Sequence, residues 1–179
     1  MLMRPSSPLP CVVLIGMAAC GKSTVAQALG RELNWPCIDS DHLIESLYGR
    51  RLQDITDALG KETFLDVESS VVCSIRANRT VIATGGSVVY REEAMTHLKS
   101  LGTIVFLDVP LSVISARIAR NPERGLAIAP GQTLADIFAE RETRYRQWAD
   151  LCLKPDGMSA QGCSRWIREH LPQSCFASE

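Results

Sequence analysis

The sequence predicts an α/β fold, a parallel sheet covered by helices on both faces. Three observations carry that prediction. Short apolar, β-branched runs alternate along the 179 residues with segments of helical spacing. The runs are apolar on both faces, as strands lying between two helical layers are. The first run passes through a glycine-rich turn, GMAACG, directly into a helical segment.

The elements follow in order. CVVLI (11–15) reads as a strand buried on both faces. KSTVAQALGREL (22–33) sets Val25, Ala28, Leu29 and Leu33 at helical spacing. CID (37–39) is a shorter strand. HLIESLYG is a helix closed by Gly49, and LQDITDAL (52–59) another closed by Gly60. A longer helix is expected over 62–77, with Phe64, Val67, Val71 and Ile75 along one stripe. TVIAT (80–84) is a strand ending at Gly85-Gly86. A polar helix over 91–100 precedes TIVFLDV (103–109), the cleanest strand of the chain. Helices around 111–119 and 134–147, a last short strand DLCL (150–153) and a helix over 164–171 complete the pattern. ARNPERGLAIAPGQ (119–132) interrupts the alternation and carries Arg120 and Arg124. A loop of that length inside a compact domain is usually functional, so a lid is expected there.

Hydrophobic residues make up 46% of the chain and charged residues 22%, with a formal net charge of -1. That balance fits a soluble globular protein and carries no strong attraction to nucleic acid or an anionic membrane. No apolar run reaches the roughly 20 residues that span a bilayer. MLMRPSSPLP (1–10) lacks the apolar stretch of a secretory signal and reads as a disordered tail. The seven cysteines form no C-x-x-C pair. Reduced thiols in a cytoplasmic protein are therefore expected, rather than a disulfide framework or a zinc site.

The strongest motif is IGMAACGKST (15–24), in which Gly16 and Gly21-Lys22-Ser23 satisfy G-x-x-x-x-G-K-[ST] between a strand and a helix. Glycines let backbone N–H groups turn inward around phosphate oxygens, and the helix N-terminus adds its positive end. In such a loop Lys22 reaches the β- and γ-phosphates and Ser23, followed by Thr24, ligates Mg²⁺. The motif points to ATP or GTP. Asp39 ends the second strand and Asp41 lies two residues on. On an extended segment the pair would point the same way, one carboxylate serving Mg²⁺ through water and the other taking the proton of an acceptor hydroxyl. Asp41 as a helix cap fits the same letters. Gly85 and Gly86 stand at a strand's carboxyl end, where ligands approach the backbone in open α/β sheets.

These motifs together resemble the shikimate kinases, small P-loop kinases of the nucleoside-monophosphate-kinase type. The matching stretches are GMAACGKSTVAQALGREL, DSDHLIE, DITDALGKETF with Glu68, VIATGGS, IVFLDVP, Arg124 and ERETRY with Arg141. The resemblance implies a P-loop NTPase fold, a five-stranded parallel sheet of order 2-3-1-4-5 flanked by helices, with a lid. It implies one kinase domain over 11–172, the lid about 119–132, and tails over 1–10 and 173–179. It implies ATP with Mg²⁺, a small hydroxylated carboxylic acid as the other substrate, and a monomer that binds neither nucleic acid nor membrane. Lys22, Asp41 and Arg124 would then be catalytic. Gly16, Ala19, Gly21, Lys22, Ser23, Thr24 and Arg117 would hold the nucleotide, Arg117 near adenine, and Ser23 and Asp39 the metal. Asp41, Glu68, Gly85, Gly86 and Arg141 would hold the acceptor, with Arg141 on its carboxylate.

The chain departs from the family pattern in several places. F-R-x-x-E becomes Phe64-Leu65-Asp66-Val67-Glu68, which removes one of two arginines that clamp shikimate's carboxylate. G-G-G becomes Gly85-Gly86-Ser87, the lid's R-P-L-L becomes Arg124-Gly125-Leu126-Ala127, and Ala19 replaces a usual loop glycine. Losing a desolvated charge-assisted contact costs roughly 2–5 kcal/mol. On a helical wheel Glu68 falls inside the stripe of Phe64, Val67, Val71 and Ile75, where a carboxylate needs a partner. Three readings stand: Glu68 pairs with Arg141, Glu68 is protonated, or it faces the pocket and meets a cation on the substrate. The third favours a hydroxy amino acid such as homoserine as acceptor. Otherwise the chain is a shikimate kinase whose lost contact comes from Arg50, Arg51 or Arg91. A catalytically degenerate nucleotide-binding regulator is the alternative of another class, and the full set of Lys22, Asp41, Arg124 and Arg141 argues against it.

Overall fold

A computed structural model describes residues 9–121 and 131–176. Strand β1 (Cys11–Ile15) is buried along its whole length, as its unbroken apolar run requires. It lies in the middle of the sheet, parallel to β3 (Val81–Ala83) on one side and β4 (Gly102–Leu107) on the other. β2 (Cys37–Asp39) and β5 (Leu151–Leu153) close the two edges, giving the order β2-β3-β1-β4-β5. A parallel sheet puts every carboxyl end on one edge. The chain leaves β1 between two neighbours that it reaches in opposite directions, the place where such sheets open a crevice.

Helix α1 (Lys22–Leu33) buries Val25, Ala26, Ala28 and Leu29, and α5 (Glu92–Leu101) buries Ala94, Met95 and Leu98. Both join the main core around β1, together with Ile167 of α8 (Ala160–His170). A second apolar cluster is separate. Ile44 of α2 (Ser40–Tyr48), Ile55 of α3 (Leu52–Leu59), and Phe64 and Val71 of α4 (Lys61–Ser74) pack together, with Val67 beside them. This small cluster holds the three helices as a unit next to the carboxyl edge. Helices α6 (Leu111–Arg120) and α7 (Leu134–Trp148) follow β4. Among the described residues no helix is long and apolar enough to cross a membrane.

Several boundaries differ from expectation for local reasons. α4 stops at Ser74, because Ile75 turns extended at φ -63 and ψ 128. Ile75 therefore packs in the main core while Phe64 and Val71 pack in the smaller one, and the expected single stripe is divided. α8 begins at Ala160 rather than 164, because the Ser159 hydroxyl caps it by accepting from the Gly162 N–H. The stretch from 173 was expected to be tail, yet Gln173–Cys175 form a 3-10 turn and Cys175 is buried in the core. Leu9, also assigned to a tail, donates its N–H to Asn78 Oδ1 at 2.9 Å. Arg124 and most of the expected lid over 119–132 lie outside the described residues.

Candidate active site

The turn from β1 to α1 takes its shape from three left-handed residues, Gly16 (φ 146), Ala19 (φ 62) and Gly21 (φ 101). Two are glycines, for which this region is open. The third is the alanine, which explains why glycine is usual there. Lys22 curls back over the loop, and its Nζ donates to the Gly16 and Met17 carbonyls at 2.7 Å each. Arg117 of α6 donates from Nη1 to the Ala19 carbonyl at 2.9 Å, so this arginine sits at the phosphate loop. Ser23 Oγ donates to Asp39 Oδ2 at 2.5 Å, bringing the two expected metal ligands together.

β2 runs into α2 with no linker, and this corrects the reading of the aspartate pair. Asp39 and Asp41 are not on one extended segment. Asp39 is the N-cap of α2, and its Oδ1 accepts from the N–H groups of Asp41 (3.0 Å) and His42 (3.4 Å). Asp41 is therefore not the cap. Its carboxylate is released toward the sheet edge, and its Oδ1 is buried without a hydrogen-bond partner. Burial first, and the charge of Asp39 second, push its pKa up to about 6.

A cavity of about 660 Å³ opens above this edge. Ala19, Gly21, Lys22, Ser23, Thr24 and Asp39 line it, and so do Asp41, Gly85, Gly86, Ser87 and Arg141. Arg141, on α7, is 2% exposed. Its Nε donates to the Tyr90 hydroxyl at 3.3 Å and its guanidinium lies 5.2 Å from the centre of the Tyr90 ring. Its Nη2 is buried and unmatched. Tyr145, one turn further along α7, donates to the Gly86 carbonyl at 2.5 Å. A side chain would collide at Gly85 and be tight at Gly86. A Cβ on Gly85 would stand 2.2 Å from Glu68 Oε1 and 2.7 Å from Asp41 Oδ1, and one on Gly86 would stand 3.1 Å from Arg141 Nη1.

Glu68 is placed differently from the expectation that it touches the acceptor. It is 1% exposed and lies one layer behind the cavity lining, against Gly85 and Ser87. The reason is the division of α4: Phe64 and Val71 cover α2 and α3, which turns Glu68 toward the end of β3. Ser87 Oγ donates to its Oε2 at 2.7 Å, while Oε1 has no partner. Glu68 Oε1 and Arg141 Nη2 are both unmatched, so the two residues do not satisfy one another. Burial, with the charge of Asp41, pushes Glu68 up to about 8, which favours the protonated reading at neutral pH. Leu65 is 2% exposed, off the cavity and in neither apolar cluster. Arg51 lines the cavity and Arg91 does not; Arg91 contacts Glu62 (3.0 Å) and Asp66 (2.9 Å).

Sequence reasoning passed over Ser87 as a bare departure from G-G-G and gave no role to Tyr90 or Tyr145. The last of these lay within the quoted ERETRY. Nothing in the local spacing of Tyr90 announces that it supports an arginine on α7.

Known proteins resemble this chain in sequence and fold. The shikimate kinase family model matches residues 18–171. The shikimate kinase of Chromohalobacter salexigens is 36% identical over 151 residues, covering 83% of this chain and 84% of its own. That of Nitratidesulfovibrio vulgaris is also 36% identical over 151 residues, covering 81% and 86%. The structure of a shikimate kinase from Acinetobacter baumannii in complex with shikimate aligns with a TM-score of 0.82 at 28% identity, over 90% of this chain and 92% of that one. The chain thus belongs to the shikimate kinase family, ATP-dependent enzymes that transfer phosphate to a hydroxyl.

Proposed function

We propose that the chain transfers the γ-phosphate of ATP to a hydroxyl of shikimate. The observation that carries this reading is Arg141. A buried guanidinium with an unmatched N–H on the wall of a cavity, whose other end is a phosphate loop, is a receptor for a carboxylate. In this reading Lys22 moves from the loop carbonyls to the phosphates, and Arg117 steadies the loop through Ala19. Asp41 faces the acceptor hydroxyl, orients it and takes its proton. Arg141 grips the acid group, and Arg51, also on the cavity lining, supplies the second cation that Leu65 has removed. Arg124, which lies outside the described residues, has the phosphate-neutralising role that the resemblance implies.

Mg²⁺ fits the donors present. Ser23 and Asp39 offer hard oxygen ligands in contact with one another beside the phosphate loop. Among the described residues no group of three acidic, histidine or cysteine side chains could hold a metal alone. That pattern suits an ion that completes its shell with water and nucleotide phosphates. When bound, the ion would neutralise charge on the transferring phosphoryl group.

The amino-acid acceptor drawn from Leu65 loses its support. Glu68, which was to meet an ammonium group, is behind the cavity lining, and the relatives above are named shikimate kinases. A coupled ADP-release assay with shikimate and homoserine as acceptors tests the proposal. Shikimate is expected to give the higher kcat/KM, and Arg141→Ala to raise the KM for it. Preferential turnover of homoserine would overturn the assignment of the acceptor.

A further inference from the structure

Two of the unmatched atoms at this site are carboxylate oxygens that press on the same small volume. Asp41 Oδ1 and Glu68 Oε1 both lack partners, and both crowd the space a methyl group on Gly85 would fill, at 2.7 and 2.2 Å. Two ionised carboxylates so close, one of them 1% exposed, repel each other at high cost. Among the described residues no cation forms an ion pair with Glu68 or Asp41, and Arg141 and Lys22 offset the conflict only in part. Lys22 Nζ is bound to the Gly16 and Met17 carbonyls, Arg141 leans on Tyr90, and Leu65 stands one helical turn from Glu68 where the family pattern has arginine. A single proton on Glu68, shared in a hydrogen bond with Asp41, would satisfy both oxygens.

We propose that Glu68 is a positioning residue: as the neutral acid it donates from Oε1 to Asp41 Oδ1 while its Oε2 accepts from Ser87, and so aims the other oxygen of Asp41 at the acceptor hydroxyl. The inference rests on Asp41 facing that hydroxyl, as proposed above. Asp41 and Ser87 line the cavity and Glu68 does not, so Glu68 acts through them. The groups that face Glu68 are Asp41 from α2, Lys22 from α1, Arg141 and Tyr145 from α7, and Ser87 after β3. Burial and the Asp41 charge oppose its ionisation, and the Ser87 hydroxyl, Arg141 and Lys22 only partly offset them.

Two measurements test the proposal. In protein labelled with ¹³C at glutamate carboxyls, the signal lost in Glu68→Gln is expected at a protonated position at pH 7, with ionisation only as pH rises through about 8. An ionised Glu68 at pH 7 overturns the proposal, and this holds whatever acceptor the enzyme uses. The second measurement is kinetic. Glutamine preserves both contacts, its amide donating to Asp41 and its carbonyl accepting from Ser87. Glu68→Gln is expected to stay within about threefold of the parent in acceptor kcat/KM, whereas Glu68→Met loses about tenfold with the KM for ATP unmoved. The parent's rate should fall as pH rises through about 8, and Glu68→Gln should lack that limb. Equal losses in the two variants, or an alkaline limb common to parent and Glu68→Gln, overturn the proposal. Absence of turnover with every acceptor would overturn the acceptor assignment, and the carboxyl signal would still decide the role of Glu68.

Discussion

The polar groups of the phosphate loop find partners close by, whereas the acceptor wall leaves three buried polar atoms unmatched. Lys22 is held by two loop carbonyls, and Ser23 by Asp39. Across the cavity Asp41 Oδ1, Glu68 Oε1 and Arg141 Nη2 wait without a partner. The difference follows from how each region is built. The loop is one continuous stretch whose backbone folds onto its own lysine. The wall is assembled from four segments: α2, α4 and α7 bring Asp41, Glu68, and Arg141 with Tyr145 to Gly85-Gly86 at the end of β3. A region made of one segment is shaped by its own turn chemistry. A region made of four depends on packing elsewhere, here the small Ile44–Ile55–Phe64–Val71 cluster that holds α2, α3 and α4 together.

Removing the lysine should separate the two regions most sharply. Lys22→Ala takes away a cation aimed at transferring charge, and the loss of such a group costs on the order of 100- to 1,000-fold in kcat. Acceptor binding, measured by calorimetry without nucleotide, should stay close to that of the parent, because Arg141 and its Tyr90 support are untouched. A variant that keeps near-full rate would place the phosphate site elsewhere.

Gly85→Ala addresses the wall in the same way. The new Cβ would meet Glu68 Oε1 at 2.2 Å and Asp41 Oδ1 at 2.7 Å, so one carboxylate must move. We expect acceptor kcat/KM to fall by about tenfold or more and stability by about 1–3 kcal/mol, the usual cost of overpacking. Binding of a non-hydrolysable ATP analogue should be nearly unchanged. An equal loss of nucleotide affinity would mean that the two regions are mechanically coupled.

The same contrast explains what the sequence discloses. The loop was legible because its chemistry is local: glycine, lysine and serine at fixed offsets between a strand and a helix. LQDITDAL was bounded correctly because Gly49 and Gly60 punctuate it. The sheet order came with the family resemblance, since alternation alone does not order strands. The wall was legible only in part. Asp41 and the glycine pair were read from their places at strand ends and Arg141 from the resemblance, but the burial of Glu68 behind Ser87 depends on α4 packing Phe64 and Val71 in one cluster and Val72 in the other, which periodicity cannot reveal. Asp39 took the cap that the spacing left open to Asp41, because the helix starts immediately after the strand.

Ala19 offers the finest test, because it is the loop's one visible compromise. Its φ of 62 is left-handed, a region that costs an L-residue about 1–2 kcal/mol and glycine almost nothing. Ala19→Gly relieves that strain. It also frees the unfolded chain, which opposes the gain by about 0.4–1 kcal/mol, and it gives up a methyl group that is largely buried. These effects nearly cancel, so a stability change within about 0.5 kcal/mol is expected, which thermal melting would register as about 2 °C or less. The Arg117 bond falls on the Ala19 carbonyl, which glycine retains, so the KM for ATP should stay the same. If the loop is held by its own turn and by its bonds to Arg117 and Asp39, removing one methyl group leaves it in place. A drop of several degrees, or a raised KM for ATP, would show instead that the loop depends on packing from outside, as the acceptor wall does.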